Sequence, residues 1–292
     1  MLSGSAGAAR LLRRKPKPRC DGRLTLTRVG VVGLGTIGRQ ICLAVEAGIP
    51  GVSLAGAAGR DRAKAEVFLG TLPSKPPFLS TEELIQASDL VIEAATQAAL
   101  RLFGPAVLSA GKHLMVLSVG GLLGVLDEWT RLAEQHGCRI LVPSGAIAGL
   151  DGVKGAREGA VTAVAMESRK PPRGWAGAPY IEAKRIDLEA IREETLIFEG
   201  TAAEACQAFP ANVNVVAALS LAGIGPELTR IKVFAVPGLA RNTHRITLEG
   251  EFGRLQIQVE NVPSENPRTG KLSYLSAIAL LRDLGSTLRV GT

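Results

Sequence analysis

The sequence contains few of the residue types from which nucleic-acid, disulfide and metal sites are usually built. Phe, Trp and Tyr make up 4 % of the 292 residues, too few to predict a stacking platform for single-stranded nucleic acid. The four cysteines are far apart and form no Cys-x-x-Cys pair, which favours reduced thiols over a disulfide framework or a zinc site. The three histidines do not cluster as they do in His-Glu-x-x-His. We therefore expect no metal and no nucleic-acid partner.

Long apolar runs are also lacking. No run approaches the ~20 residues that a membrane-spanning helix needs, and no apolar segment of the kind found in a secretory signal follows the N-terminus. With 46 % hydrophobic and 21 % charged residues, the composition is typical of a folded, soluble enzyme. We expect a cytoplasmic protein with no membrane partner.

The net charge of +7 comes from the start of the chain. Of the 34 basic and 27 acidic residues, eight and one lie within residues 1–28, which leaves 26 of each sign in the rest. We interpret residues 1–27 as a basic, disordered extension. Two alternatives are an arm that binds nucleic acid or an acidic surface, and a transit peptide. Against the latter, Ser is sparse, and Pro16 and Pro18 interrupt the basic run.

A glycine-rich turn begins the part of the chain that we expect to fold. An apolar, strand-like segment is followed by the pattern Gly-x-Gly-x-x-Gly, formed by Gly33, Gly35 and Gly38, and then by a helix. The first glycine permits a tight turn, the second lets a pyrophosphate approach the backbone, and the third lets helix and strand pack closely. With Thr36 and Ile37 at the helix N-terminus, where backbone amides face an anion, the pattern predicts a dinucleotide site.

The second predicted strand ends without the acidic residue that usually binds the ribose 2′-hydroxyl of NAD. Ala57, Ala58 and Gly59 occupy its end, and Arg60 follows. A guanidinium at this position can pair with the 2′-phosphate of NADP, so we expect NAD or NADP as the cofactor. In the alternative interpretation, Arg60 is only a solvated charge and Asp61 caps the next helix.

The order of the predicted elements indicates an α/β protein of two domains. Strands alternate with helices up to about residue 143, which predicts a Rossmann-type, doubly wound parallel sheet for residues 28–143. Several strands in succession predict a second, α+β domain with a mixed or antiparallel sheet for residues 144–269. The apolar spacing near the C-terminus predicts a helix at about 270–288, which we expect to pack back onto the first domain.

The second half contains two groups of candidate site residues. Asn212 and Asn214 flank one valine before an apolar, helical run. Either can cap this helix, or an amide can bind the cofactor or a substrate carbonyl. His244 begins a strand-like alternation after Asn242 and Thr243. It is either a polar residue at a strand end or the group that handles a proton in an active site.

Several short motifs occur in a specific order along the chain. They lie at 33–38, 143–147 with 149–151, 169–172 with Trp175, 212–215, 242–244 with 252–253, and 266–269. Through these motifs the chain, from about residue 28 onward, resembles the L-aspartate dehydrogenase family. Many families share the glycine turn, whereas the later motifs are much more specific. The chain departs from the family pattern in its basic extension and at Val236-Pro237, where the family often has Asp-Pro.

The resemblance implies an NAD(P)-dependent enzyme that reversibly oxidises L-aspartate, a dicarboxylic amino acid, to iminosuccinate and then oxaloacetate plus ammonia. It implies that His244 is the active-site acid–base residue and that Ala146 and Asn214 contact the cofactor. An imidazole with a pKa near neutrality suits both proton removal from the substrate amine and activation of water.

The substrate-binding residues are less sharply indicated. Arg241 and Thr269 lie near the shared motifs and, with Asn212, are candidates; Arg268 and Lys170 are further cations. For each cation the alternative is an exposed, solvated charge. Two other functions stay open, namely a non-catalytic dinucleotide sensor and a related two-domain oxidoreductase acting on another amino or imino acid. We expect a homodimer.

Overall fold

The computed structural model describes residues 27–262 and 270–292. The predicted basic extension, apart from Thr27, lies outside the described residues, and so do Arg268 and the candidate substrate residue Thr269. The described residues form two five-stranded sheets with helices packed against them.

The first sheet is parallel throughout, and its strands alternate with helices along the chain. Its central strands are nearly continuous apolar runs, as expected for strands buried on both faces. The order β2-β1-β3-β4-β5 places a topological switch between β1 and β3. The elements are β1 (Thr27–Val32), α1 (Thr36–Glu46), β2 (Val52–Ala58), α2 (Arg62–Gly70), α3 (Thr81–Ala87), β3 (Leu90–Glu93), α4 (Gln97–Ser109), β4 (His113–Val116), a 3-10 turn (Val119–Leu122), α5 (Leu126–His136) and β5 (Ile140–Leu141).

The second sheet is mixed, in the order β10-β9-β6-β8-β7. Its central strand β6 runs parallel to β8 and antiparallel to β9. Alternate residues of β9 are buried, as expected of a strand with only one face in the core. The elements are α6 (Leu150–Ala156), β6 (Val161–Lys170), a second 3-10 turn (Pro172–Trp175), α7 (Pro179–Lys184), β7 (Thr195–Thr201), α8 (Ala202–Ala208), α9 (Asn214–Ala222), β8 (Arg230–Ala235), β9 (Asn242–Gly250) and β10 (Gly253–Asn261).

The C-terminal helix α10 (Leu272–Leu284) returns to the first sheet. Its residues Ala277 and Leu281 are fully buried in one apolar cluster with Val29 of β1 and Ile41 of α1. A second apolar cluster is continuous from the helices of the first sheet to the inner face of the second. This shared core fixes the strand ends of the two sheets relative to each other, which matters for a site assembled from both.

The predicted fold class, a Rossmann-type parallel sheet followed by an α+β part with a mixed sheet, is confirmed. The last strand of the first sheet, β5, ends at Leu141, two residues before the predicted limit of the alternating strands and helices at about residue 143. The chain then leaves the sheet in a turn through Pro143 and Gly145, where Gly145 has φ +66°. Within the described residues, no helix combines the length and apolar character of a membrane span.

Candidate active site

The turn between β1 and α1 contains glycines in two different surroundings. Gly33 has φ +98°, and a Cβ there would lie 2.6 Å from the carbonyl oxygen of Ala94. A Cβ on Gly38 would lie 1.9 Å from the carbonyl oxygen of Gly33, so α1 packs directly on the turn. At Gly35 a Cβ would meet no atom within 4 Å. Gly35 therefore faces open space, just where α1 begins at Thr36 without a side-chain cap.

This open space is a cleft at the carboxyl ends of β1 and β3, which we call the switch-point cleft. It runs between the glycine turn at 33–36 and the segment 94–97 that follows β3. Open α/β sheets bind ligands at such a point because the loops on its two sides diverge. The cleft continues, through walls shared at Ile37, Leu117 and Asn214, into a deeper cavity that contains His244.

The end of the switch-point cleft beside α2 is lined by charged side chains, and we call it the charged end. Its cations are Arg60, Arg39 and Lys64, and its acids are Asp61 and Glu82. Asp61 accepts a hydrogen bond of 3.1 Å from the backbone amide of Lys64 and caps α2, as one interpretation of the sequence proposed. No carboxylate of the described residues forms an ion pair with Arg60, so its guanidinium is available to a ligand in the cleft.

His244 is the third residue of β9 and lies on the inner face of the second sheet, with 3 % of its surface exposed. It is paired across the sheet with Ser168 of β6, and Ser168 Oγ lies 3.1 Å from His244 Nδ1. This buried contact orients the imidazole. The cavity in front of it, the His244 cavity, has about 670 Å³ of empty space, part of it open to solvent.

Lys170 follows Ser168 by two residues on β6 and therefore lies on the same face of the sheet. Only 3 % of its surface is exposed. Its Nζ lies 3.4 Å from the carbonyl oxygen of Asn212 and 4.8 Å from the centre of the Trp175 ring. Both of these partners are neutral, so the ammonium group enters the cavity with its charge uncompensated.

Lys170 and His244 are the only ionisable side chains among the described residues that line the His244 cavity. Burial lowers the pKa of Lys170 to about 8. Burial, together with the charge of Lys170, lowers the pKa of His244 to about 3. The imidazole is therefore neutral at pH 7 and has a lone pair with which to accept a proton.

Three asparagine side chains fix the walls of the cavity by hydrogen bonds to distant backbone groups. Asn212 Nδ2 donates to the carbonyl of Gly174 (2.7 Å), Asn261 Nδ2 donates to that of Ala146 (2.7 Å), and Asn214 Oδ1 accepts from the amide of Gly120 (3.2 Å). The interpretation of Asn212 or Asn214 as a helix cap is wrong, since the residue at the cap of α9 is Val213 and no side chain bonds there. Contacts with remote segments hold both amides instead.

Glu93, at the carboxyl end of β3, is a fully buried acid in an otherwise apolar strand. It accepts hydrogen bonds from the amide and hydroxyl of Ser118 (both 2.8 Å) and from the amides of Ala95 (2.8 Å) and Leu117 (3.2 Å). Burial raises the pKa of its carboxyl, and the bonds from these residues oppose that rise. Glu93 thus joins the segments after β3 and β4, both of which line the cleft. Its position in the apolar run LVIEAA was the available sequence signal.

The structure brings most of the predicted site residues together. Lining the His244 cavity are Ile37, Ala146, Asn212, Asn214 and His244. Lining the switch-point cleft are Gly33, Gly35, Thr36 and Arg60, with Gly38 packed beneath the turn. Not predicted as site residues, but part of the site, are Ser168, which contacts His244, and the cavity residues Asn242 and Asn261. No three His, Cys, Asp or Glu side chains of the described residues are arranged to hold a metal ion.

Arg241 is not part of the cavity. It lies in the turn before β9, its side chain is 59 % exposed, and its guanidinium lies 3.8 Å from the carboxylate of Glu260. The inward-facing residues of β9 begin one position later, at Asn242. The alternative of a solvated charge therefore describes Arg241 better than a place in the substrate site.

A glycine turn at the switch point of a parallel sheet, opening into a cavity with a neutral imidazole, is the arrangement of a dinucleotide-dependent oxidoreductase. Two family models that match the chain agree with this class of enzyme. Residues 33–143 match "Homoserine dehydrogenase, NAD binding domain", and residues 151–284 match "Aspartate dehydrogenase, C-terminal".

Sequence relatives identify the family. The chain is 47 % identical over 271 residues to L-aspartate dehydrogenase of Methanosarcina barkeri, an alignment that covers 91 % of this chain and 100 % of the relative. It is 46 % identical over 265 residues to L-aspartate dehydrogenase of Bradyrhizobium diazoefficiens, covering 91 % and 94 %. The chain belongs to the L-aspartate dehydrogenase family. The predicted family, the enzyme class and the cofactor, NAD or NADP, are confirmed.

Two solved structures show the same fold. The crystal structure of aspartate dehydrogenase from Thermotoga maritima matches with a TM-score of 0.67 at 22 % identity, covering 91 % of this chain and 99 % of that one. Homoserine dehydrogenase from Thiobacillus denitrificans matches with a TM-score of 0.60 at 13 % identity, covering 89 % and 73 %. At these identities the similarity is one of fold.

Proposed function

We propose that the chain catalyses the reversible, NAD(P)-dependent oxidation of L-aspartate to iminosuccinate, which water converts to oxaloacetate and ammonia. The observation that carries this proposal is the position of His244. A buried, neutral imidazole lies in the cavity into which the switch-point cleft opens, beside residues shared with the cleft. The shared walls allow a cofactor in the cleft and a substrate in the cavity to meet.

The switch-point cleft fits a dinucleotide. Gly35 leaves the backbone bare toward the cleft, while a Cβ on Gly33 or Gly38 would collide with backbone, which matches the three glycine functions of this motif. We propose that Gly33, Gly35, Thr36, Ile37 and Gly38 form the pyrophosphate cradle. When bound, NAD(P) supplies the acceptor for the hydride from the substrate Cα.

We assign two further groups to the cofactor. Arg60 lines the charged end of the cleft and is proposed to face the adenosine ribose. Ala146 and Asn214 line the His244 cavity, and Asn214 also lines the switch-point cleft. Asn214 accepts the amide hydrogen of Gly120 through Oδ1, so its NH₂ group is left to donate to the nicotinamide end.

His244 is proposed to be the catalytic base. A protonated amine has no lone pair, so the α-ammonium of aspartate must lose a proton before a C=N bond can form as hydride leaves Cα. If His244 Nδ1–H donates to Ser168 Oγ, 3.1 Å away, Nε2 carries the lone pair that takes this proton. The same nitrogen can then activate the water that hydrolyses the imine. Positioned groups of this kind contribute about 10²–10⁴-fold in rate.

We also propose that the enzyme is a homodimer and acts in the cytoplasm. The thiols of Cys42, Cys138 and Cys206 are free and buried, which suits a reducing compartment. The outer face of the second sheet is open to solvent in the single chain along its edge strand β10, which offers a surface for a second copy. Analytical ultracentrifugation tests the proposed homodimer. The sedimentation coefficient of a monomer at micromolar concentration would contradict the proposal.

The test of the proposed function is a steady-state assay in both directions. We expect oxidation of NADH or NADPH with oxaloacetate plus ammonia, and reduction of NAD or NADP with L-aspartate, with oxaloacetate identified as the product. Turnover only with another keto acid favours a related oxidoreductase. Binding of NADH without turnover of any keto acid and ammonia favours a dinucleotide sensor.

A further inference from the structure

Lys170 is a buried cation for which the described residues offer no counter-ion. Its side chain is nearly fully buried, and its contacts are the carbonyl of Asn212 and the ring of Trp175. A buried charge is costly unless an opposite charge compensates it. The charged or titratable side chain that faces it in the cavity is His244, from β9; the segments that carry Asn212 and Trp175 present no acid to it.

The adjacent residue on β6 shows what a cation retained for structure is like in this sheet. Arg169 points to the outer face, where its guanidinium lies 2.7 Å from Glu167 and 3.0 Å from Glu194. Lys170 points inward, into a cavity that is open to solvent and lined by no described carboxylate. The missing partner of Lys170 is therefore to be sought in a ligand.

We propose that Lys170 binds a carboxylate of the dicarboxylic substrate in the His244 cavity, next to the imidazole. This inference rests on the proposed function and names the residue that selects an anionic substrate. A lysine ammonium forms charge-assisted hydrogen bonds to carboxylate oxygens, which are stronger than bonds between neutral groups.

The surroundings of Lys170 hold its ammonium group in one place. Gly174 lies against the start of the side chain, where a Cβ on Gly174 would be 3.2 Å from Lys170 Cβ. Trp175, fully buried, lies beneath the ammonium, and its Nε1 donates to the carbonyl of Phe234 at 3.0 Å. A long side chain that is already ordered loses little entropy when it binds an anion.

The position of Lys170 also couples substrate binding to the proton chemistry of His244. The charge of Lys170 contributes, after burial, to the lowered pKa of His244. A carboxylate bound to Lys170 offsets that charge, so this contribution to the lowered pKa of His244 is removed when the substrate binds.

The test uses Lys170→Met in the full chain, with succinate as a probe that has both carboxylates but no amine to oxidise. We expect the Kd for succinate of the NADH-saturated enzyme, measured by calorimetry, to rise about 10- to 100-fold, and the KM for aspartate to rise similarly. Lys232→Met is the matched control, because Lys232 is an exposed lysine of the same sheet paired with Glu199; its succinate affinity should equal that of the wild type.

A purely structural role of Lys170 and the proposed role in substrate binding predict different properties of the Lys170→Met variant. Replacement of an uncompensated buried charge by an apolar side chain should leave Tm equal to or above that of the wild type, with NADH affinity unchanged. Succinate affinity unchanged in folded Lys170→Met overturns the proposal. So does a loss of kcat with unchanged KM, which would make Lys170 a proton-transfer group. If the Met variant does not fold, Lys170→Gln, which retains a donor for the Asn212 carbonyl, is used with the same criteria.

Two further measurements show which carboxylate of the substrate Lys170 binds, and whether this inference fails together with the proposed function or separately from it. If Lys170→Met weakens aspartate but leaves any residual alanine oxidation unchanged, Lys170 binds the side-chain carboxylate; an equal loss on both assigns the α-carboxylate. If the wild type binds succinate through Lys170 but does not turn over aspartate, the proposed function fails and this inference stands.

Discussion

The two ends of the site, the glycine turn of the switch-point cleft and the His244 cavity, are built by different means. At the glycine turn, where we propose that the backbone binds the cofactor, a Cβ on Gly33 or Gly38 would collide with backbone. At the His244 cavity, side chains from β6, β9, β10 and the start of α9 converge, and two of them are ionisable. Backbone amides recognise a phosphate that every dinucleotide carries, whereas uncompensated side-chain charge distinguishes one substrate from another. We therefore expect affinity for the cofactor and choice of substrate to be separable in this molecule.

The largest effect should come from the cavity end. His244→Ala is expected to lower kcat by about 10²–10⁴-fold, because no other described side chain near the substrate space accepts a proton at neutral pH. The Kd for NADH, followed by fluorescence, should change little, since the glycine turn is untouched. His136→Ala, at the exposed end of α5, is the control. Turnover near the wild-type value in His244→Ala would remove the histidine from the mechanism.

The next largest effects should come from the glycine turn and should divide by position. Gly38→Ala places a Cβ 1.9 Å from the carbonyl of Gly33, so it should lower both stability, by about 1–3 kcal/mol, and cofactor affinity. Gly35→Ala meets no atom within 4 Å and should keep the wild-type Tm while the Kd for NADH rises about 10-fold or more, which corresponds to ~1.4 kcal/mol.

Calorimetric melting measures the Tm of both glycine variants, and titration with NADH measures their Kd for the cofactor. A normal NADH affinity in folded Gly35→Ala would show that the bare backbone at this position does not contact the cofactor. The same kcat at saturating cofactor in both variants would sharpen the separation of the two ends, because the chemistry at His244 would then be independent of the turn.

The two ends also differ in how far the sequence predicts them. The glycine turn is encoded in six consecutive residues whose constraints are local, so its strand, turn and helix follow from spacing alone. The shared motifs also placed Ala146, Asn214 and His244 in one site. Ser168 and Asn261 could not be assigned, because their roles depend on cross-strand pairing with His244 and Asn242.

Two residues show why local patterns fail at the cavity. Asn212 has the sequence context of a helix cap, but the carbonyl of Gly174, 38 positions earlier in the chain, holds its side chain. Lys170 has the context of a solvated lysine beside Arg169, yet the alternation of β6 turns one inward and the other outward. Burial of a charge is a property of the assembled sheets, and no spacing within 169–172 reveals it.

A smaller effect should separate the two dinucleotides at the charged end of the cleft. Arg60→Ala is expected to raise the Kd for NADPH about 10-fold, as for a lost charge-assisted bond, and to leave that for NADH within about 2-fold. Arg62→Ala is the control, because the Arg62 guanidinium is engaged with Glu66 and with the ring of Phe78. No change in either Kd would mean that Arg60 is only a solvated charge, and an equal rise in both would mean that it contacts a group that the two cofactors share.

The last effect is on stability at acid pH, and it connects the cavity to the fold. The pKa of His244 is about 3 in the folded protein and near 6.5 in an unfolded chain. As pH falls below 6.5, the unfolded chain gains a proton that the folded protein does not, so stability is lost down to pH 3 by up to about 1.4 kcal/mol per unit. Urea unfolding at pH 7 and pH 5 should therefore show a smaller acid loss in His244→Ala than in the wild type. Equal losses would mean that the folded protein takes up this proton as readily as the unfolded chain, which contradicts the lowered pKa of His244.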